Sequence, residues 1–250
     1  MRVDLIDFTG KGSPDPSRHA ANVLVFTKQT RLKMEPDLMS DVESWSQEKI
    51  SSELEYMANT IPSSWEFVTY TFLVNGVTRA FTHQFVRTRT GSFSQQTMRV
   101  LDADGWGYHT GPTIACDPEI QKAYDVGMQE IDYRYRRMID QGAKIEDARG
   151  ILPTNILTNI VAKFDLRTFA DTQRKRASTR TQGEYRDVMA AMRDEVIRVH
   201  PWAVMFLDRT FDKAAAELEQ GIIQISLNDD WPEQNRVDLI KLIDQMRMTA

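Results

Sequence analysis

The chain has 250 residues, 41% of them hydrophobic and 27% charged, with a formal net charge of −5. That length can bury a sizeable core in one large domain or two small ones, and the balance is that of a soluble globular protein. It argues against a general nucleic-acid binder by charge, against a membrane helix because no apolar run approaches about 20 residues, and against a disulfide framework because Cys116 is the single cysteine.

In chain order, residues 1–8 read as a short first strand, with acids that a signal peptide would not carry. Residues 10–16 form a Gly/Pro/Ser/Asp loop, and 23–26 are a short apolar run followed by a polar, basic stretch. Met39, Val42, Trp45, Ile50, Leu54 and Met57 recur at helical spacing over 40–58, and Ile61-Pro62-Ser63-Ser64 breaks that helix. Residues 65–74 are β-branched and aromatic and read as a strand, 77–87 as a helix, and 90–99 as a polar loop. Asp117-Pro118 caps a long helix ended by Gly142. Its stripe of Ile120, Tyr124, Met128, Ile131, Tyr135, Met138 and Ile139 is expected to be a core face. Residues 146–149, then Pro153 and Asn155, are expected to start a helix running to about Ala170. Further helices are expected at 184–199, 212–219 and 236–248, with a turn at 228–232. With no repeat, low-complexity tract or linker, the expectation is one α+β domain spanning 1–250.

The acidic total conceals two basic segments. Residues 84–99 hold Arg87, Arg89 and Arg99, no acid, and many hydroxyl and amide side chains. Residues 167–186 hold Arg167, Arg174-Lys175-Arg176, Arg180 and Arg186 against Asp171 and Glu184. Arginine presents a planar fork of donors suited to phosphate and carboxylate. Two readings fit this composition equally: a pocket for a phosphorylated small molecule, or a solvated loop with scattered surface charge. No Gly-rich dinucleotide fingerprint or P-loop is present, and the four histidines are too scattered for metal spacing. Apolar neighbours mark Cys116 as a buried structural thiol, and no Ser-His-Asp order emerges, so an enzyme of this sequence would rely on a cofactor for its chemistry. His83 is expected to be structural.

Three blocks carry a resemblance. Residues 87–99, Arg87-Thr88-Arg89-Thr90-Gly91-Ser92-Phe93-Ser94-Gln95-Gln96-Thr97-Met98-Arg99, resemble the R-H-R-x-x-S-x-N-E-x-S-x-R signature of flavin-dependent thymidylate synthases. Ala148-Arg149-Gly150-Ile151-Leu152-Pro153-Thr154-Asn155 resembles the family's A-R-x-x-L-P-x-N. Asp165-Leu166-Arg167, Arg176 and Gln182-Gly183-Glu184-Tyr185-Arg186 follow at the family's spacing, and Ser63, Glu66 and Thr71-Phe72 fit the strand before the signature. The likeness spans roughly residues 60–207.

That resemblance implies a homotetramer of α+β protomers, each with a small antiparallel sheet and a large helical portion, and active sites at subunit interfaces. It implies bound FAD, NADPH as reductant, and transfer of a one-carbon unit from methylenetetrahydrofolate to C5 of dUMP in the cytoplasm, with no metal, nucleic acid or membrane. Gln84, Phe85, Val86, Arg87, Gln95, Gln96, Thr97, Met98, Arg99 and Arg149 fall at nucleotide positions, with Arg99 and Arg149 suited to the phosphate. Arg176 matches the arginine held against the pyrimidine ring, the catalytic position, where a cation favours developing negative charge. Ser63, Arg87, Thr88, Arg89, Gln95, Asp165, Leu166, Arg167 and Asp171 fall at flavin positions.

The chain departs from the family at several of these. Thr88 replaces histidine, Ser94 asparagine, Gln95 glutamate and Thr97 serine, while Asp165 and Asp171 replace two asparagines. Gln95 removes a charge from the nucleotide site, and the two aspartates are expected to add charge near the flavin. These changes keep open a related C5 methylase or hydroxymethylase acting on UMP, dUMP or dCMP, and a non-catalytic nucleotide-binding relative. Arg180 stands where the family has histidine.

Overall fold

The computed structural model describes residues 1–99, 107–176, 181–208, 218, 220–222 and 233–249. Four strands form one antiparallel sheet in the order β1-β2-β4-β3: β1 (Arg2–Phe8), β2 (Thr69–Thr78), β3 (Ser92–Gln95) and β4 (Leu157–Asp165). Around it lie α1 (Pro16–Gln29), α2 (Leu38–Glu43), α3 (Gln47–Thr60), α4 (Arg79–Phe85), α5 (Pro112–Ala115), α6 (Pro118–Asp140), α7 (Ile145–Ala148), α8 (Leu166–Arg176), α9 (Gly183–Val199) and α10 (Val204–Leu207), with a final helix at Glu233–Thr249. The α+β expectation holds, with helix predominating.

Alternation sets the sheet's inner face. Tyr70, Phe72 and Val74 of β2 and Ile160, Ala162 and Phe164 of β4 point into one core. They meet Leu166 and Phe169 of α8 and Tyr185, Val188, Met189, Met192 and Val196 of α9. Phe72 stacks on Phe169 at 5.7 Å between ring centroids. Each such buried ring contributes roughly 2–3 kcal/mol by area removed from water.

Several boundaries differ from the sequence expectation. The 23–26 run lies inside α1, whose N-terminus is capped by Asp15 accepting from the Arg18 N–H at 2.9 Å. The expected 40–58 helix is two helices, α2 and α3, because the chain breaks at Ser44 and Ser46 caps anew. The expected strand at 65–74 starts later: Pro62–Phe67 is a 3-10 turn whose Trp65 is buried with its indole N–H on the Met57 carbonyl. β2 then runs on to Thr78, passing a register shift between Val74 and Val77 where Gly76 takes φ +65°, a conformation that favours glycine. The expected polar loop at 90–99 contains β3, an edge strand whose Phe93 turns inward.

The largest correction concerns residues 153–170. No helix starts at Pro153; β4 occupies 157–165 and a helix begins only at Leu166. Thr158, Ile160, Ala162 and Phe164 have period two, and pairing with β2 on one side and β3 on the other selects the strand. Asp165 ends it by capping α8: its carboxylate accepts the Thr168 N–H at 2.7 Å and the Thr168 hydroxyl at 3.0 Å.

The helix at 118–140 forms as expected, but its stripe is only partly a core face. Met128 and Tyr135 are buried, Tyr124, Ile131, Met138 and Ile139 are half-buried, and Ile120 is exposed. Cys116 is exposed rather than buried, at the end of α5. The helix at 184–199 and the final helix match expectation, whereas the expected helix at 212–219 and turn at 228–232 fall on or largely on residues outside the described set. Among the described residues, no helix is long and apolar enough to cross a membrane.

Two polar contacts tie the helices to the sheet. Glu184 of α9 accepts the Thr78 N–H at 2.8 Å and the Thr78 hydroxyl at 2.6 Å, and the same hydroxyl caps α4 through the Phe81 N–H. His200 is fully buried between Phe8 and Trp202, with Nδ1 2.9 Å from the Tyr70 hydroxyl. Burial holds its imidazole down to about 4 from 6.5. The neutral ring is thus favoured in the folded chain, and the unfolded chain binds more protons between those values.

Chemical denaturation of Glu184→Ala is expected to show a loss of about 2–4 kcal/mol, since two charge-assisted bonds vanish, with Glu184→Gln losing roughly half as much. The His200 contribution is fully present above pH 6.5 and lost as pH falls towards 4, by on the order of 3 kcal/mol. His200→Gln is expected to flatten that part of the stability profile, read from denaturation midpoints against pH.

Candidate functional site

The expected site residues fall into three groups, each placed by a junction between elements.

The first group surrounds the start of α4. The Arg79 N–H donates to the Ile156 carbonyl at 3.1 Å and the Ala80 N–H to the Thr154 carbonyl at 2.8 Å, which anchors α4 to the segment entering β4. The Gln96 N–H donates to the Asn159 carbonyl at 3.0 Å, extending the β3–β4 ladder towards Thr97, Met98 and Arg99. Thr97 accepts the Arg99 N–H through its hydroxyl at 3.1 Å. Arg99 lies 3.9 Å from the Glu146 carboxylate, and Arg149 donates from Nε to the Glu146 carbonyl at 3.0 Å. The signature and the second block therefore meet at Glu146. Sequence reasoning missed Arg79, whose guanidinium donates to the Gln96 carbonyl at 2.7 Å. Its only sequence signal was a cation following the β-branched run of a strand.

The second group surrounds Tyr185. Phe81 and Phe85 of α4 pack edge-on against its ring, with centroids 5.0 and 5.8 Å away. The Arg176 guanidinium lies 4.6 Å over the Tyr185 ring, a cation–π contact that fixes its plane. Burial pushes the phenol's pKa up, while the neighbouring Arg176 and Thr88 pull it the other way. The first and third blocks thus meet across one aromatic ring. Gln84 joins them from α4, donating to the Gln182 side chain at 2.7 Å. Gln95 donates to the Thr82 hydroxyl at 2.8 Å, which leaves its carbonyl oxygen as an acceptor.

The third group lies where the 3-10 turn meets α8. Arg167 pairs with Glu66 at 2.7 Å, and Ser63 of the same turn accepts from Arg31 at 2.6 Å. The Leu166 N–H donates to the Val68 carbonyl at 2.8 Å.

Burial and pairing narrow how four of the expected residues can act. The Phe85 and Leu166 side chains are fully buried in the core, so only their backbone atoms are available to a ligand. The charge expected from Asp165 and Asp171 is locally offset. Asp165 spends both oxygens capping α8, a task asparagine's single oxygen does less completely, and Asp171 pairs with Arg174. His83 is exposed on α4 and is no core histidine. Val86, Arg87 and Arg89 are exposed, and neither arginine has an ion-pair partner among the described residues. Gly91 keeps this exposed turn tight: a Cβ there would lie 2.7 Å from the Phe164 ring. Arg180 is outside the described residues.

Comparison with known proteins gives the family. The sequence profile of the family described as "Thymidylate synthase complementing protein" matches residues 5–202. A flavin-dependent thymidylate synthase of Clostridium tetani (strain Massachusetts / E88) is 31% identical over 223 residues, 80% of this chain and 84% of that protein. The flavin-dependent thymidylate synthase of Nitratidesulfovibrio vulgaris is 34% identical over 143 residues, 53% of this chain and 58% of its own. That of Sulfurisphaera tokodaii is 35% identical over 136 residues, 53% and 51% of the two chains. Because the matched span holds all three motif blocks together with β2, β3 and β4, this chain belongs to the flavin-dependent thymidylate synthase family.

Proposed function

We propose that the protein is an FAD-dependent transferase that moves a one-carbon unit from methylenetetrahydrofolate to C5 of a pyrimidine nucleotide, converting dUMP to dTMP with NADPH as reductant. The observation that carries this reading is the meeting of the three blocks, Arg99 and Arg149 at Glu146 and Thr88 and Arg176 at Tyr185, in a member of this family.

The donor set fits a flavin dinucleotide. Arg87 and Arg89 are exposed guanidiniums with no acidic partner among the described residues, suited to a pyrophosphate, and the Ser63 hydroxyl is exposed beside Arg31. Bound flavin supplies the redox chemistry. The chain's own part is binding, orientation and electrostatics. Arg99 and Arg149 are permanent cations for the nucleotide phosphate. The Glu146 carboxylate near Arg99 is partly exposed and 3.9 Å away, a weak competitor for the arginine fork. Arg176, held flat by a phenol that burial keeps neutral, presents a cation to the pyrimidine ring and favours negative charge developing there.

We place the active sites at the interfaces of a homotetramer in the cytoplasm, each protomer a single domain. Supporting this, α6 buries only Met128 and Tyr135 within the protomer while Ile120, Val126 and Tyr133 are exposed along it. Such faces are commonly covered by another subunit. A second reading, C5 methylation or hydroxymethylation of UMP or dCMP, draws support from Gln95. This neutral amide bonded to Thr82 stands at a nucleotide position where the family signature has a carboxylate.

The purified protein is expected to show a flavin visible spectrum and to release tritium from C5-labelled dUMP with folate, FAD and NADPH. A colourless protein that FAD cannot reconstitute overturns the reading, and mass spectrometry of products from dUMP, UMP and dCMP decides between substrates. Arg176→Lys is expected to lower kcat by about a hundredfold with little change in nucleotide KM, read from steady-state kinetics, since the planar contact on Tyr185 is lost while charge remains.

A further inference from the structure

Arg79 belongs to none of the three sequence blocks, yet it sits where two of them meet. Two backbone hydrogen bonds hold the first turn of α4 against residues 154–156, so the position of the Arg79 Cα is fixed by the segment entering β4. From there its side chain reaches the Gln96 carbonyl, tying down the loop that carries Thr97, Met98 and Arg99. Its Nε–H is buried without a hydrogen-bond acceptor, and no acidic side chain pairs with it among the described residues. A half-buried guanidinium whose buried Nε–H has no acceptor calls for an explanation, since buried polar groups are nearly always hydrogen-bonded.

The surroundings supply one. Burial lowers the pKa of Arg79 and the positive charge of nearby Arg149 lowers it further, so the fold holds two like charges close together. Arg149 spends its Nε on a backbone carbonyl rather than on a carboxylate. Glu146 offers the cluster one negative charge, at 3.9 Å from Arg99. Among the described residues, these three guanidiniums are placed with the Glu146 carboxylate alone as a recorded acidic neighbour, and a phosphate monoester near neutral pH would supply the negative charge they lack.

We propose that Arg79 is a nucleotide-binding residue, the third guanidinium of a phosphate-monoester subsite formed with Arg99 and Arg149, and the group that holds the loop of residues 96–99 in place for it. The nucleotide half of this inference rests on the function proposed above; the anion subsite itself does not.

Calorimetry on the purified protein with FAD supplied tests it, using dUMP and inorganic phosphate as probes. Arg79→Gln is expected to weaken both probes by at least about tenfold while leaving FAD affinity and the melting temperature near those of the parent. Arg79→Lys keeps the charge but loses the fork and is expected to fall between; it decides the matter if Arg79→Gln fails to fold. Unchanged affinity for both probes overturns the inference and leaves the nucleotide reading intact. Equal weakening of FAD and both probes also overturns it, since that marks a purely structural role. A parent that binds phosphate in an Arg79-dependent way but none of dUMP, UMP and dCMP upholds the subsite and overturns the nucleotide reading. A parent that binds no probe overturns both.

Discussion

β4 pairs along both edges, with β2 from Thr69↔Asp165 to Thr78↔Leu157 and with β3 from Ser92↔Lys163 to Gln95↔Ile160. This double pairing fixes the positions of the candidate groups. At one end of the strand, Thr154 and Ile156 hold the first turn of α4, and so set where Arg79 and Gln84 stand. Along its edge, β3 carries the signature towards Arg99. At the other end, Asp165 caps α8 and starts the helix that delivers Arg176 to the Tyr185 ring. Because side chains alternate along a strand, a register slip by one residue would turn Phe164 out of the core and move each of these attachments together.

The aromatic core does the complementary task. Phe81 and Phe85 of α4, Phe93 of β3, Phe164 of β4 and Tyr185 of α9 pack as one cluster, with Phe85–Phe93 at 5.2 Å and Phe93–Phe164 at 5.7 Å between centroids. Packed rings leave little freedom for the elements that bear them. The guanidinium of Arg176 therefore rests on a rigid platform. The buried Phe85 side chain links the signature to this core.

Charge is arranged by locality rather than by total. The chain is acidic overall, yet Arg99 and Arg149 meet at Glu146, and Arg79 stands near enough to Arg149 to feel its charge. Elsewhere, acids are matched to bases at close range: Asp171 to Arg174, Glu66 to Arg167 and Asp208 to Arg193. Most such surface pairs contribute little to stability. Their value here is that they leave the positive excess confined to a few positions, which suits a small phosphorylated ligand better than a polyanion. The two aspartates that replace family asparagines follow the same rule, one spent on a helix cap and one on an arginine.

By itself, the sequence determined the class of fold, the family and the identity of most candidate side chains. Long periodic helices such as 118–140 and 183–199 were legible because their signals are local: the Asp117 cap and Pro118 at the start of the first, apolar residues at helical spacing in both. The motif blocks were legible because residue type and spacing survive in one dimension. Tertiary structure alone decided the rest. Residues 157–165 satisfy both a helical and a strand pattern, and only the neighbouring strands resolve the choice. β3 is short, polar and at an edge, so nothing local marks it as a strand. Arg79 gains its meaning from a carbonyl seventeen residues away and a guanidinium in another block, contacts made by sheet pairing rather than by sequence proximity.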